Sequence, residues 1–242
     1  MPFWPDRFHV ETVRSGTGAV PFDPMELTAM GEWWDIRTLA GLADSDPVGS
    51  WAGNKSLYTL TQTGTARPMY AADEGDGHPG VLFDGVDDSM GCVISNADLF
   101  GTTGDMEIWL VIRMPLVPVG GIFTSTGISN QIGLLGGSPN ATLPLCNGSV
   151  SITFPTADMA DNAWHVIRLM KSGARRVVAI DGQSVYDSTT SSGPYSTGAD
   201  ILNLGYYFGT YGQVRFRHFL AFTEVLSEQE ALDLDTYLRT AL

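Results

Sequence analysis

The sequence predicts an all-β protein, a two-sheet antiparallel jelly-roll sandwich closed by a short C-terminal α-helix. Three observations carry that prediction. Trp164 to Tyr186 reads as three consecutive strands, Trp164 to Met170, Arg176 to Ile180 and Gln183 to Tyr186, separated by Lys171-Ser172-Gly173 and Asp181-Gly182. An Asp-Gly pair between β-rich runs suits a type I′ hairpin turn, which needs positive φ at both central residues. Met106 to Met114 alternates cleanly: Met106, Ile108, Leu110, Ile112 and Met114 share one face, and Glu107 and Arg113 the other. The 28 Gly and 13 Pro are scattered as turn punctuation, and turn signals recur about every 8 to 12 residues, the spacing of a sandwich or barrel.

Within the meander, Trp164, Val166 and Met170 point one way and Ile167 and Leu169 the other. A strand apolar on both faces belongs in the middle of a sheet that is covered on both sides. The remaining elements are read in chain order. Residues 1–24, with Phe3, Trp4 and Phe8, read as an N-terminal arm or lead-in, and residues 25–242 as one sandwich domain. Met25 to Leu42 is expected to hold a short helix before Trp33-Trp34-Asp35, and residues 57–70 a short strand. Val81 to Phe83 and Met90 to Ile94 read as strands around the turn Asp84-Gly85-Val86-Asp87-Asp88. Ile122 to Thr124, Gln131 to Leu135, Val150 to Phe154, Ile201 to Tyr207 and Val214 to Phe222 supply further strands. In the last of these, Val214, Phe216, His218, Leu220 and Phe222 are expected on one face and Arg215 and Arg217 on the other. Ser227-Glu228-Gln229-Glu230 is a capping box, with Leu226 and Ala231 as its flanking apolar pair. Ala231, Leu234 and Leu238 then form a stripe at helical spacing, able to lie against the sandwich.

Composition bounds the function. A hydrophobic fraction of 43% with 17% charged residues supports a real core. Thirteen basic against 27 acidic residues give a net charge of −14, which repels a phosphate backbone and argues against a nucleic-acid partner. Arg175-Arg176 and the Arg215/Arg217 pair read as solvated strand ends. Cys92 and Cys146 make no disulfide framework and lack metal-ligand spacing; Cys92, between Met90 and Ile94, reads as a small buried thiol. The opening MPFWPDRFHVETVR has no basic segment followed by an apolar one, so no signal peptide is expected. No apolar run reaches membrane-spanning length, so no membrane insertion is expected.

The order of several short motifs is familiar. Val48-Gly49-Ser50-Trp51, Arg67-Pro68 with an aromatic two residues on, Val81-Leu82-Phe83-Asp84-Gly85 and Trp164-His165-Val166 occur in turn. Ile180-Asp181-Gly182, Leu204-Gly205-Tyr206 and Val225 to Glu230 before Tyr237-Leu238 follow. Over residues 30–240 the chain resembles the concanavalin A-like lectin/glucanase superfamily in its laminin-G-like branch, and within it the modules of tailed-phage virion proteins. That resemblance implies a non-enzymatic structural protein on the surface of a phage or phage-like particle: a capsid decoration, head fibre or tail-associated module, made in the host cytoplasm. Its implied partners are other virion proteins, met through the arm or a sheet edge, and a second copy of itself in a homo-oligomer. The alternative is a carbohydrate-binding, lectin-like module for host envelope glycans, and the weaker alternative a glycoside hydrolase.

Individual residues weigh these alternatives. Glycoside hydrolysis needs two carboxylates facing one bond. The Glu-x-Asp-x-Glu strand of glucanases of this fold is missing: Glu107 has no second Glu after it, and Glu32 and Asp35 are not spaced for one strand face. No catalytic residue is therefore assigned. Gly136-Gly137-Ser138-Pro139-Asn140 fails as a nucleophile elbow, and His165 and His218 read as hydrogen-bonded structural residues. Sugar binding needs an exposed aromatic platform beside amide or carboxylate groups. Tyr206, Tyr207 and Tyr211, in the glycine-bearing segment Tyr206 to Gly212, are the first candidates, with Trp51 and the Trp33-Trp34 pair as alternatives. Asp84, Asp87 and Asp88 can gather oxygens around Ca²⁺, as laminin-G-like domains often do. Their competing role is to satisfy backbone N–H groups in a tight Asp-Gly hairpin. No other cofactor is expected.

Overall fold

The computed structural model describes residues 22–116, 120–126, 131–136, 140–144, 151–155, 159–189, 198–207 and 209–240. The arm expected at residues 1–24 lies outside them apart from Phe22, Asp23 and Pro24, as does Cys146. In chain order the strands are β1 (Met30–Asp35), β2 (Ser50–Ala52), β3 (Thr59–Thr61), β4 (Met69–Ala71), β5 (Gly80–Asp84) and β6 (Met90–Ser95). Helix α1 (Asn96–Phe100) follows, then β7 (Met106–Arg113), β8 (Gly120–Thr126), β9 (Gln131–Gly136), β10 (Asn140–Pro144) and β11 (Ser151–Pro155). The meander is β12 (Trp164–Ser172), β13 (Arg175–Ile180) and β14 (Gln183–Thr189). Next come β15 (Ala199–Leu204), β16 (Tyr206–Tyr207), β17 (Thr210–Tyr211), β18 (Gln213–Phe222) and helix α2 (Glu228–Thr240).

These strands make two sheets. The first runs β14-β13-β12-β7-β18-β5-β4, with β1 also paired to β18; the second runs β11-β10-β9-β8-β15-β6-β3-β2, with β16 and β17 attached through β8. Pairing is antiparallel apart from one parallel contact of Tyr211 with Gly121. The predicted meander is present, and Asp181 and Gly182 adopt φ of 51° and 73° as its type I′ turn requires. Between the sheets lies a core rich in aromatic rings, with Phe83 on Phe216 at 5.5 Å and Phe123 on Phe219 across the layers at 5.3 Å, both edge to face. Such pairs are worth about 0.5–1.5 kcal/mol beyond the area they bury.

A second core covers the outer face of the first sheet. The capping box forms, with the Glu230 amide donating to Ser227 Oγ at 3.3 Å and the Ser227 amide to Glu230 Oε2 at 2.9 Å. The helix it starts lays Ala231, Leu234 and Leu238 over Trp109, Val111, Val166, Leu220 and Phe222. This cover changes the expected pattern of β7. Glu107, Trp109 and Val111 form no solvent face; they are buried under α2, while Ile108, Leu110 and Ile112 fill the inter-sheet core.

The short helix expected between Met25 and Leu42 appears as two 3-10 turns, Pro24–Glu26 and Ile36–Leu39, on either side of the strand Met30–Asp35, every residue of which is buried. Three expectations are corrected. Asp84-Gly85 is no hairpin turn, because β5 belongs to the first sheet and β6 to the second, so residues 85–89 cross between layers. In β18 a bulge between Phe216 and His218 shifts the register against β7. One inserted residue reverses side-chain parity: Val214, Phe216, Phe219 and Ala221 face the inter-sheet core, and Leu220 and Phe222 face α2. Finally, Arg176 and Arg217 are buried, not solvated. The Arg217 guanidinium stacks 4.0 Å above Trp164, pairs with Asp76 at 2.6 Å and donates to the carbonyls of Pro79 and His78.

Candidate functional site

Tyr206, Tyr207 and Tyr211 form a small hairpin at one end of the sandwich. Tyr206 pairs with Tyr211 and Tyr207 with Thr210, and the Tyr206 and Tyr211 rings meet at 5.2 Å and 56°. The Thr210 hydroxyl donates to the Tyr207 carbonyl at 2.6 Å, holding the tip. The hairpin sits directly on β8: a side chain at Gly121 would collide with the backbone of Tyr206 and Tyr207, and one at Gly212 with the Gly121 carbonyl. Glycine is required here by close approach of two backbones. The consequence is a fixed ridge with all three tyrosines half-buried, each keeping part of its surface in solvent. Burial raises the Tyr207 hydroxyl above the usual phenol range, so it stays a neutral donor.

The same end carries the acidic crossing. Gln213, two residues after Tyr211, is the register partner of Asp84, and Gly205, just before Tyr206, packs on the Phe83 ring. Asp84 Oδ1 accepts from the Val86 amide at 2.7 Å and Asp88 Oδ2 from the Asp84 amide at 3.0 Å, so both shape the crossing. Asp84 and Asp87 are exposed and Asp88 is buried. Ligand atoms of the three carboxylates lie within 4.8 Å of one another. Burial, opposed by the Asp84 amide and reinforced by the charges of Asp84 and Asp87, pushes the Asp88 carboxyl up to about 6. Three hard oxygen donors and the repulsion among them suit a divalent cation. Asp84, Asp87 and Asp88 would hold it, supplying three of the roughly six to eight oxygens Ca²⁺ takes. Two candidates that the sequence offered separately thus meet at one end.

Trp51 leaves the candidate set. It is wholly buried, and its indole donates to the Asp35 carbonyl at 3.0 Å, so no face is open to a sugar. Trp33 and Trp34 are likewise buried. Cys92 is half-buried, and burial pushes its thiol up to about 12, away from nucleophilic or ligand chemistry.

Glu32, Glu107, His165 and His218 are committed to structure. Glu32 is buried and accepts from the backbone amides of Trp33, Lys55, Leu57 and Tyr58 at 2.7–3.2 Å, ordering the turn between β2 and β3. Glu107 is buried against Arg168 (2.9 and 3.0 Å), the Trp109 indole (2.5 Å) and the Leu226 amide (3.2 Å). Its burial outweighs these partners and raises its pKa. His165 bridges Asp181 at 2.7 Å and Asp161 at 2.9 Å. Burial works against the imidazolium, but the two carboxylates prevail and raise its pKa. Burial drives His218 down to about 4, against the pull of Asp35, and Trp33 Nε1 donates to its Nδ1 at 3.3 Å. The structural role expected of both histidines holds.

No protein-family model matches the chain, and no curated protein does. Solved structures do. The binding domain of botulinum neurotoxin serotype G superposes with a TM-score of 0.64 at 12% identity, covering 86% of this chain and 51% of its own. The binding domain of botulinum neurotoxin DC, solved in complex with SialylT, gives 0.60 at 11% identity, with 89% and 52% covered. Trypanosoma rangeli sialidase gives 0.64 at 14% identity, covering 99% of this chain and 36% of the sialidase. The chain therefore spans about half the length of the toxin domains and about a third of the sialidase. At these identities the likeness establishes the fold, a two-sheet β-sandwich of the kind those proteins contain.

Proposed function

We propose that this chain is a non-enzymatic carbohydrate-binding module that contacts glycans with the end of the sandwich formed by Tyr206, Tyr207, Tyr211 and the Asp84–Asp88 crossing. One observation carries the proposal: the tyrosine hairpin and a set of carboxylates, joined through the Gln213–Asp84 register pair, share that end. Tyrosine faces stack on the C–H faces of sugar rings, and carboxylates accept from hydroxyl pairs. The resemblance to toxin binding domains, one of them solved in complex with SialylT, supports the reading at the level of fold analogy. A Ca²⁺ ion on Asp84, Asp87 and Asp88 would add a further ligand for hydroxyl oxygens.

A glycan array tests the proposal. The parent protein is expected to bind a defined subset of glycans, and Tyr207→Ala with Tyr211→Ala to lose that binding. Absence of binding by the folded parent removes the proposal. Incubation with the bound glycans is expected to release no reducing sugar.

The sequence motifs favour a second, compatible setting, the surface of a phage-like particle, with neighbouring virion proteins and a second copy of the chain as partners. Symmetry-related copy number in purified particles tests it, and absence from particles removes it.

A further inference from the structure

The two sheets differ on their outer faces. Helix α2 covers the first, laying Leu234 and Leu238 over it. On the second, Val93 of β6 and Ile201 of β15 keep 68% and 47% of their surface in solvent. These two are direct register partners, and an antiparallel pair sets opposed side chains about 4.5–5.5 Å apart. They therefore form one apolar spot rather than two scattered residues. Along β2, β3, β6 and β15 the inward residues, Trp51, Leu60, Ile94 and Leu202 among them, fill the inter-sheet core. The alternate residues point outward, and none of them is charged. Gly91 lies between Thr61 and Asn203, with the Asn203 amide folded over it.

Charge selects the occupant. The chain carries a net charge of −14, and α2, which covers the other sheet, has Glu228, Glu230, Asp233 and Asp235 against Arg239. Two such copies repel one another wherever both bring carboxylates. They approach at least cost where neither brings a charge, and the cores of protein interfaces are depleted of charged residues for the same reason. The geometry is also self-complementary. A two-fold axis running along the strands between β6 and β15 sets Val93 over the partner's Ile201 and Ile201 over the partner's Val93. That exchange is what a symmetric dimer requires. Sheets stacked face to face stand about 10 Å apart with their side chains interdigitated. The small neighbours Thr59, Thr61 and Gly91 leave room for that approach.

We propose that the outer face of the second sheet is where two copies of this chain meet, face to face, in a reversible dimer centred on Val93 and Ile201. This gives the second copy of the particle setting its surface, and the purified chain tests it apart from glycan binding and particle content. Sedimentation velocity from about 5 to 500 µM is expected to show monomer passing to dimer, the range of a weak interface. Salt at about 0.5 M should tighten the dimer by screening the repulsion between two acidic copies. Val93→Glu/Ile201→Glu is expected to weaken it at least about tenfold with the circular dichroism of the parent. Val93→Thr/Ile201→Thr, β-branched and uncharged, should weaken it about threefold or more and decides the matter if the charged variant misfolds. Leu232→Glu, at an exposed residue of α2, should leave it unchanged. A chain monomeric throughout the range leaves the face to a different partner and overturns the proposal. So does a dimer that salt weakens, one that survives both double variants, or one that Leu232→Glu dissolves.

Discussion

Two sets of carboxylates in this protein are put to opposite uses. Glu32 and Glu107 are buried and surrounded: one accepts from four backbone amides, the other from a guanidinium, an indole and an amide. Asp84, Asp87 and Asp88 crowd together at one end with two of them exposed. The difference teaches how to separate scaffold from site in a fold that hosts both. A carboxylate whose oxygens are saturated by the chain holds the chain together, and one left among its own kind has acceptor capacity for something else. The following predictions test that division.

The largest effect is expected at Glu107. Glu107→Ala strands Arg168 beneath α2 and leaves the Trp109 indole and Leu226 amide without their acceptor; breaking a buried pair in this way costs about 3–5 kcal/mol. Urea unfolding should show a lower midpoint at unchanged slope, and a cost below about 1 kcal/mol would place Glu107 outside the scaffold. Leu234→Ala, in the fully buried stripe of α2, is expected to cost about 2–5 kcal/mol by the same assay. Gly121→Ala drives a methyl into the backbone of Tyr206 and Tyr207. It should cost about 1–3 kcal/mol and abolish glycan binding together with the ridge. Binding that survives this substitution would detach the ridge from the proposed site.

Smaller effects follow from titration. The raised pKa of His165 means that its bridge to Asp161 and Asp181 stabilises fully below the unfolded imidazole value of about 6.5 and is lost as pH rises through the higher folded value. The Tm difference between the parent and His165→Gln should therefore shrink between about pH 6 and 8; a constant difference would contradict the bridge. At Asp88 the sign is the same and the window lies lower. A carboxyl raised to about 6 is disfavoured when charged, so stability contributed by its protonated form is lost as pH rises from about 4 to 6. Asp88→Asn, which retains an acceptor for the Asp84 amide, should match or exceed the parent Tm at pH 7. If Ca²⁺ occupies the crossing, millimolar Ca²⁺ raises the parent Tm and leaves Asp88→Asn unmoved.

Local chemistry was the legible part of the fold. The Asp181-Gly182 turn, the capping box at Ser227 and the strands on either side of the meander could be read because each is set by a few neighbouring residues. What could not be read depended on the partner across space. Trp33-Trp34 hides a strand because β1 is buried on both sides. The bulge that turns His218 away from Phe216 arises from pairing with β7, and α1, a single short turn capped by Ser95 and Gly101, has too little periodicity to register. Arg217 looked like a solvated strand residue, yet Trp164 and Asp76, far apart in sequence, enclose it. The site followed the same rule. Its tyrosines and aspartates were each visible as candidates, but their meeting at one end depends on β5 and β18 pairing.

The most direct test is a calorimetric titration of the strongest array glycan into the parent and into Tyr207→Ala/Tyr211→Ala. Loss of two stacking faces should lower the affinity at least about tenfold while Tm stays within about 2 °C of the parent. Equal affinity in the two proteins would contradict the assignment of the tyrosine ridge as the contact surface.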